Sequence, residues 1–169
     1  MALGVYLGTF YAPAPTLANI QGDCFGAGVA LALACDIRVA GERARFGVTT
    51  AKLGISYPAE DIARLVRAVG SGQASGLLLV ADTISAADAH RTGLVQILGG
   101  TVEAERIAMA IANNAPQSVA TMKRLIRAVT QGSELASDEI FDGFFASEAF
   151  AEGLNAFKAK RPPICAGDH

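Results

Sequence analysis

An α/β fold is predicted by three observations. Short strand-like runs stand at Thr16–Gln21, Asp36–Ala40 and Arg45–Val48; an apolar helical run, Val29–Ala34, interrupts them; and helical periodicity takes over after Pro58. The chain has 169 residues, 51% of them hydrophobic, enough for a globular domain with a sizeable core.

The totals exclude several classes of function. Net charge is −2 and the 14 basic residues are spread along the chain, so no field favours nucleic acid or anionic lipid. The longest apolar stretch, Cys24–Cys35, is broken by Gly26 and Gly28 and stops at Asp36. That is well short of the roughly 20 residues a membrane span needs, so a soluble protein with no membrane partner is expected. No export signal opens the chain. The 3 cysteines, Cys24, Cys35 and Cys165, show no CxxC spacing, which argues against a disulfide framework or a zinc site and fits a reducing cytoplasm. No metal site is expected.

The elements follow in order. Leu3, Tyr6, Leu7 and Phe10 have helical spacing immediately after Met1 without a capping residue, which reads as entry partway through a fold. Pro13 and Pro15 break that helix, Thr16–Gln21 reads as a short buried strand, and Gly22–Gly28 as a turn-rich loop. Val29–Ala34 is apolar on every face and so must be buried. The two strands after it are separated by the polar turn Gly41–Arg43. Pro58, with Glu60 and Asp61 behind it, starts a helix that Gly70 ends, and a second helix covers Gln73–Val80. Ser85 and Asp88 form a capping box for Ala86–Arg91, stopped at Gly93, with a short strand at Val95–Leu98. Amphipathic helices close the chain at Glu103–Asn113, at Gln117–Thr130 and from Ser137 onward. The last is rich in phenylalanine, and such apolar area calls for a partner surface.

The segment Gly22–Gly28 carries the candidate chemistry. Amides at the start of a buried helix can hold an oxyanion, and Gly26 and Gly28 leave room for a ligand carbonyl to approach the Ala27 N–H. The same glycines also serve a tight strand-to-helix turn, and composition alone leaves both readings open. A dinucleotide fingerprint is excluded because Leu31 stands where its third glycine belongs.

The runs Pro15–Gly22, Phe25–Gly28 and Leu31–Arg38 resemble the central signature of the enoyl-CoA hydratase/isomerase (crotonase) family. Arg45–Gly47, Lys52–Ile55, Arg64–Gly70, Ile84–Val95 and Glu152–Pro162 are similar to that family's later blocks in the same order. The resemblance implies a crotonase-like (ClpP/crotonase) ββα spiral lacking its N-terminal portion, with residues 1–98 in the spiral core and 99–169 forming a helical trimerisation region. It implies a homotrimer or hexamer and a lyase or isomerase of fatty-acyl metabolism. The substrate would be an acyl-CoA thioester, with no cofactor beyond the coenzyme A it carries. Ala27 would supply one backbone donor to the thioester oxygen, the second coming from a leading segment expected to be missing. Phe25, Gly26, Gly28 and Lys160 would contact the ligand, with Arg161 assisting at the coenzyme A phosphates.

The departures from the family matter as much. Hydratases of this family use two glutamates as acid and base, and Ala30 and Thr50 occupy those positions here. Glu60 and Asp61, which match a block facing the acyl pocket, are the substitute candidates; ordinary charge at a helix N-terminus is the other reading. A catalytically inactive acyl-CoA-binding protein of the same fold is the alternative to an enzyme acting by enolate stabilisation. Asp36 fits a structural turn, His90 a surface position, and Cys24 lacks a neighbour that would activate it as a nucleophile.

Overall fold

The computed structural model describes residues 12–133 and 137–164, so the helix expected over residues 3–10 lies outside the described residues. The chain divides into two compact units, one containing Thr16–Ile107 and the other Pro13–Pro15 with the residues from Ala108 onward.

The first unit is built on two three-stranded sheets. Strands β1 (Leu17–Ile20), β3 (Ile37–Ala40) and β6 (Ile97–Leu98) form one, wholly parallel, with β3 in the centre. Strands β2 (Asp23–Phe25), β4 (Arg45–Gly47) and β5 (Ile84–Ser85) form the other, with β2 parallel to β4 and β4 antiparallel to β5. Two expectations change here. The turn-rich loop contains strand β2, which exists because Cys24 pairs with Phe46 across the ladder rather than through local propensity. Strand β1 is half-buried rather than buried, because it forms an edge of its sheet.

Helix α1 (Ala27–Ala34) connects the two sheets and packs its Val29, Ala30, Ala32, Leu33 and Ala34 side into the core. Its residues are apolar throughout, yet Ala27, Gly28 and Leu31 stay exposed along one strip. The helix carries no basic residue in its last turn. Arg38 fills that role from β3: its buried guanidinium donates to the Cys35 carbonyl at 2.9 Å, the Ala32 carbonyl at 3.4 Å and the Leu94 carbonyl at 2.7 Å. Asp36 joins the starts of β1 and β3, accepting from the Thr16 amide at 2.6 Å and the Thr16 hydroxyl at 2.8 Å.

A 3₁₀ turn at Thr50–Leu53 leads to helix α2 (Ala59–Ser75), whose fully buried Leu65 packs in the core with α1. Gly70 interrupts α2 at φ 78°, ψ 162°, a conformation a side chain would oppose, so the break falls where the sequence places it. Helical structure resumes to Ser75 and continues as a π-helical stretch, Gly76–Val80. Helix α3 (Ala86–Arg91) starts on the expected cap, with the Ser85 hydroxyl accepting from the Asp88 amide at 3.1 Å. Phe46, Leu65, Leu94, Val29, Val48 and Val95 are the largest side chains sealed in this core among the described residues.

Helix α4 (Thr101–Ala112) belongs to the first unit as far as Ile107. The second unit holds α5 (Pro116–Gln131), α6 (Ser137–Phe144) and α7 (Glu148–Lys158). Proline at the first position of α5 and Gly132 at φ 68° beyond its end follow from the sequence signals for helix start and stop. The apolar face of α5 is largely uncovered, with Met122, Ile126 and Val129 all more than half exposed. Phe141, Phe145 and Phe150 stack edge to face at centroid distances of 5.1 and 5.2 Å while remaining exposed. Among the described residues no helix is long and apolar enough to cross a membrane, and no cluster of His, Cys, Asp and Glu could hold a metal.

Candidate functional site

The candidate loop is set by the second sheet. Phe25, the last residue of β2, lies beside Gly47, and the Gly26 amide continues that alignment by donating to the Gly47 carbonyl at 2.9 Å. Gly26 has φ 48° and ψ −113°, a combination that only glycine adopts without strain. The chain then turns directly into α1: the Gly26 carbonyl accepts from the Val29 amide at 3.0 Å and from the Ala30 amide at 3.2 Å. Ala27 is therefore the first residue of the helix, and it is solvent-exposed.

The glycines on either side of Ala27 are present for different reasons. A Cβ at Gly26 would touch nothing within 4 Å, but the positive φ excludes one. At Gly28 a Cβ would meet only the Cys24 sulfur at 3.5 Å, an ordinary contact, and its φ is not positive. The fold thus requires glycine at position 26 and does not require it at 28.

Tyr57, buried just ahead of α2, donates its hydroxyl to the Gly26 carbonyl at 2.9 Å and so ties the approach to α2 to the first turn of α1. Glu60 and Asp61 lie in the next turn of chain. Both carboxylates fold back on Arg64: Asp61 accepts from Nη1 at 2.8 Å, and Glu60 accepts from Nη2. Arg64 and Asp61 are buried and Glu60 is exposed. Of the two candidates, Asp61 thus has a packing duty and Glu60 has access to solvent.

Ala30 is sealed in the core at 1% exposure, and Thr50 is half-buried in the 3₁₀ turn. Phe25 is half-buried, with the Arg45 guanidinium 5.9 Å from its ring centroid. Arg45 makes a two-pronged bond to Asp23 at 2.8 and 2.7 Å, which holds the Asp23 carboxyl below its ordinary range. Cys24 is buried beneath the loop, and that burial pushes its thiol up to about 11, so it stays protonated at neutral pH and offers no thiolate nucleophile. His90 is exposed, with its Nδ1 3.2 Å from the Val95 carbonyl.

Lys160 belongs to the second unit, exposed just past the end of α7 at φ 51°. Arg161 beside it is engaged by Glu152 at 2.6 and 3.0 Å. That guanidinium, with help from the Ile164 amide, holds the Glu152 carboxyl down at about 2. A separate open depression of about 480 Å³ lies at the carboxyl ends of β1, β3 and β6, lined by Gln21, Glu42, Arg43 and the glycines Gly41, Gly99 and Gly100; it includes none of the candidate residues.

Sequence reading missed Tyr57, Gly47 and Arg64. A single tyrosine before a proline carries no motif, and which carbonyl its hydroxyl reaches is decided by chain 31 residues away. Arg64 was foreseeable: carboxylates three and four positions before an arginine in a helix share one face.

The model of the enoyl-CoA hydratase/isomerase family matches residues 4–167 of the chain. A 2,3-dehydroadipyl-CoA hydratase of Escherichia coli is 37% identical over 157 residues, covering 88% of this chain and 62% of its own length. A mevalonyl-coenzyme A hydratase of Aspergillus fumigatus is 36% identical over 162 residues, covering 88% of this chain and 59% of its own. The crystal structure of an enoyl-CoA hydratase from Bacillus anthracis superposes with a TM-score of 0.89 at 32% identity, over 99% of this chain and 69% of that one. The chain spans about three fifths of the length of these curated relatives.

Proposed function

The chain belongs to the enoyl-CoA hydratase/isomerase family and has its crotonase fold, and on that premise we propose that it binds an acyl-CoA thioester with the carbonyl oxygen at the Ala27 amide, stabilising an enolate. The observation that carries this reading is Gly28. It stands in a helical turn that would accept alanine, so the fold does not account for the absent side chain, and this supports reading it as room for a ligand near Ala27. The relatives named for hydratase activity on CoA thioesters support the substrate class. Phe25 and Gly26 flank the same carbonyl, and Lys160 is the candidate for the coenzyme A phosphates.

Glu60 is the first candidate for moving a proton, being exposed where Asp61 is buried against Arg64. The burial of Ala30 favours a second reading, a catalytically inactive acyl-CoA-binding protein, because neither Ala30 nor Thr50 can serve as the acid–base pair of a hydratase. Turnover of a short enoyl-CoA separates the two: hydration or double-bond isomerisation that Glu60→Gln abolishes supports the enzyme, and its absence supports the binder.

The binding claim itself is tested by titrating an acyl-CoA thioester against the matching alkyl-CoA thioether, which lacks the carbonyl. The thioester should bind on the order of tenfold more tightly, as one good hydrogen bond to a charged or polarised oxygen provides. Equal affinities would remove Ala27 from the site.

Assembly through the exposed phenylalanines of α6 and α7 into a homotrimer or hexamer is part of the same proposal. Small-angle scattering should return the mass of three or six chains, and a monodisperse monomer would end that part of it.

A further inference from the structure

We infer that Glu152 and Arg161 are positioning residues: their ion pair closes the turn beyond α7 and so holds Lys160 in place for the coenzyme A phosphates. This rests on the proposed role of Lys160. Where α7 stops, two backbone bonds form the Schellman pattern, from the Arg161 amide to the Ala156 carbonyl at 3.1 Å and from the Lys160 amide to the Phe157 carbonyl at 3.2 Å. That pattern needs a left-handed residue at its turning point, where glycine is the usual choice. Lysine stands there at φ 51°, a conformation that crowds the Cβ of an L-residue against the following carbonyl. The fold draws no contact from the lysine in return: its side chain is exposed and makes no hydrogen bond or ion pair with the described residues, and Lys158 already meets the dipole in the last turn of α7. A strained position occupied by a side chain without a packing duty points to a ligand.

The neighbouring cation is used differently. Arg161 folds back along α7 to Glu152, and both prongs of its guanidinium meet that carboxylate, at 2.6 and 3.0 Å. The Ile164 amide donates to the same carboxylate at 2.9 Å, and Arg161 also donates to the Pro162 carbonyl at 3.0 Å. Pro162 and Pro163 fix the φ angles between these anchors, so residues 161–164 are pinned as one piece against the helix. The Glu152 carboxyl, held at about 2, keeps the pair charged throughout the neutral range. Lys160 is thus restrained on both sides, by the Schellman bonds before it and by the clasp after it. An exposed ion pair contributes little to folding, whereas a backbone fixed in advance reduces the freedom that a phosphate-binding lysine must lose on binding. The two adjacent cations take separate roles: Lys160 meets the ligand and Arg161 holds the backbone.

The readout is the ratio of affinities for an acyl-CoA and the matching acyl-pantetheine, which keeps the thioester and lacks the phosphates and nucleotide, measured by calorimetry on the full chain. Lys160→Gly, which relieves the backbone, should melt about 2–4 °C higher and lower the ratio about tenfold, the loss of one hydrogen bond to a charged group. Glu152→Gln, which neutralises the clasp while keeping its shape, should lower the ratio about three- to tenfold and leave acyl-pantetheine affinity unchanged. A role in folding alone would weaken both ligands together and overturn the inference. The charge swap Glu152→Arg with Arg161→Glu rebuilds the pair in reverse and should recover most of the ratio. Direct contact between Arg161 and a phosphate predicts the opposite, since the swap puts a carboxylate against the ligand's charge. A swap with a lower ratio than Glu152→Gln would therefore overturn the positioning role. So would a Glu152→Gln variant with the parent's ratio beside a Lys160→Gly variant that has lost it, and the phosphate reading of Lys160 would then stand. A Lys160→Gly variant with the parent's ratio would remove Lys160 from the site and the inference with it.

Discussion

Arg64→Leu is expected to cost about 3–5 kcal/mol of folding stability, the range found when one member of a buried ion pair is removed. Arg64 and Asp61 are each 7% exposed, and the guanidinium lies 2.8 Å from the Asp61 carboxylate. Leucine fills much of the space but leaves that carboxylate in a low-dielectric setting without its counter-charge. The double variant Arg64→Leu with Asp61→Leu should recover most of the loss, since removing both charges relieves the desolvation penalty that the single change creates. Urea denaturation of the three proteins measures this directly; a single variant as stable as the parent would show that the pair carries no weight. The same result bears on the choice of base. If Asp61 supports the start of α2, loss of activity in Asp61→Asn cannot be assigned to chemistry, and Glu60 becomes the cleaner position to probe.

Gly28→Ala should move stability and binding in opposite directions. A helical glycine whose φ and surroundings tolerate a methyl group loses conformational entropy on folding that alanine does not, so the variant should gain about 0.4–1 kcal/mol. The methyl group would stand 3.5 Å from the Cys24 sulfur on the residue next to Ala27, and on the proposed reading a displacement of about 1 Å in a bound carbonyl can cost on the order of 10²-fold in rate. A variant that is more stable and binds the thioester as well as the parent would show that Gly28 is not kept small for a ligand. A variant that is less stable would show that position 28 has a packing constraint absent from its immediate contacts.

These two sites also show how much could be read without coordinates. Signals confined to a few neighbouring residues were legible: the Ser85–Asp88 cap, the Pro58 helix start, the Gly70 break and the arrest at Gly93 all rest on backbone chemistry within one turn. The glycine-flanked Ala27 was legible too, as a turn leading into a helix. Strand β2 was not, because a three-residue segment with one buried side chain becomes a strand only through its ladder to Arg45–Gly47. That β3 and β4, so close in sequence, belong to different sheets was hidden for the same reason. Arg38 gave no sign that it would be buried, since its three carbonyl partners converge only once α1 and the chain before β6 have packed. Tyr57 belongs with these: its residue type is ordinary, and its meaning is supplied by the carbonyl it reaches.

The most direct measurement is the infrared carbonyl stretch of an acyl-CoA labelled with ¹³C at the thioester carbon, recorded free and bound. An oxygen held by a backbone donor is polarised, so the band should shift to lower frequency on binding. A bound ligand whose carbonyl band stays at its free position would contradict the assignment of Ala27 as the donor.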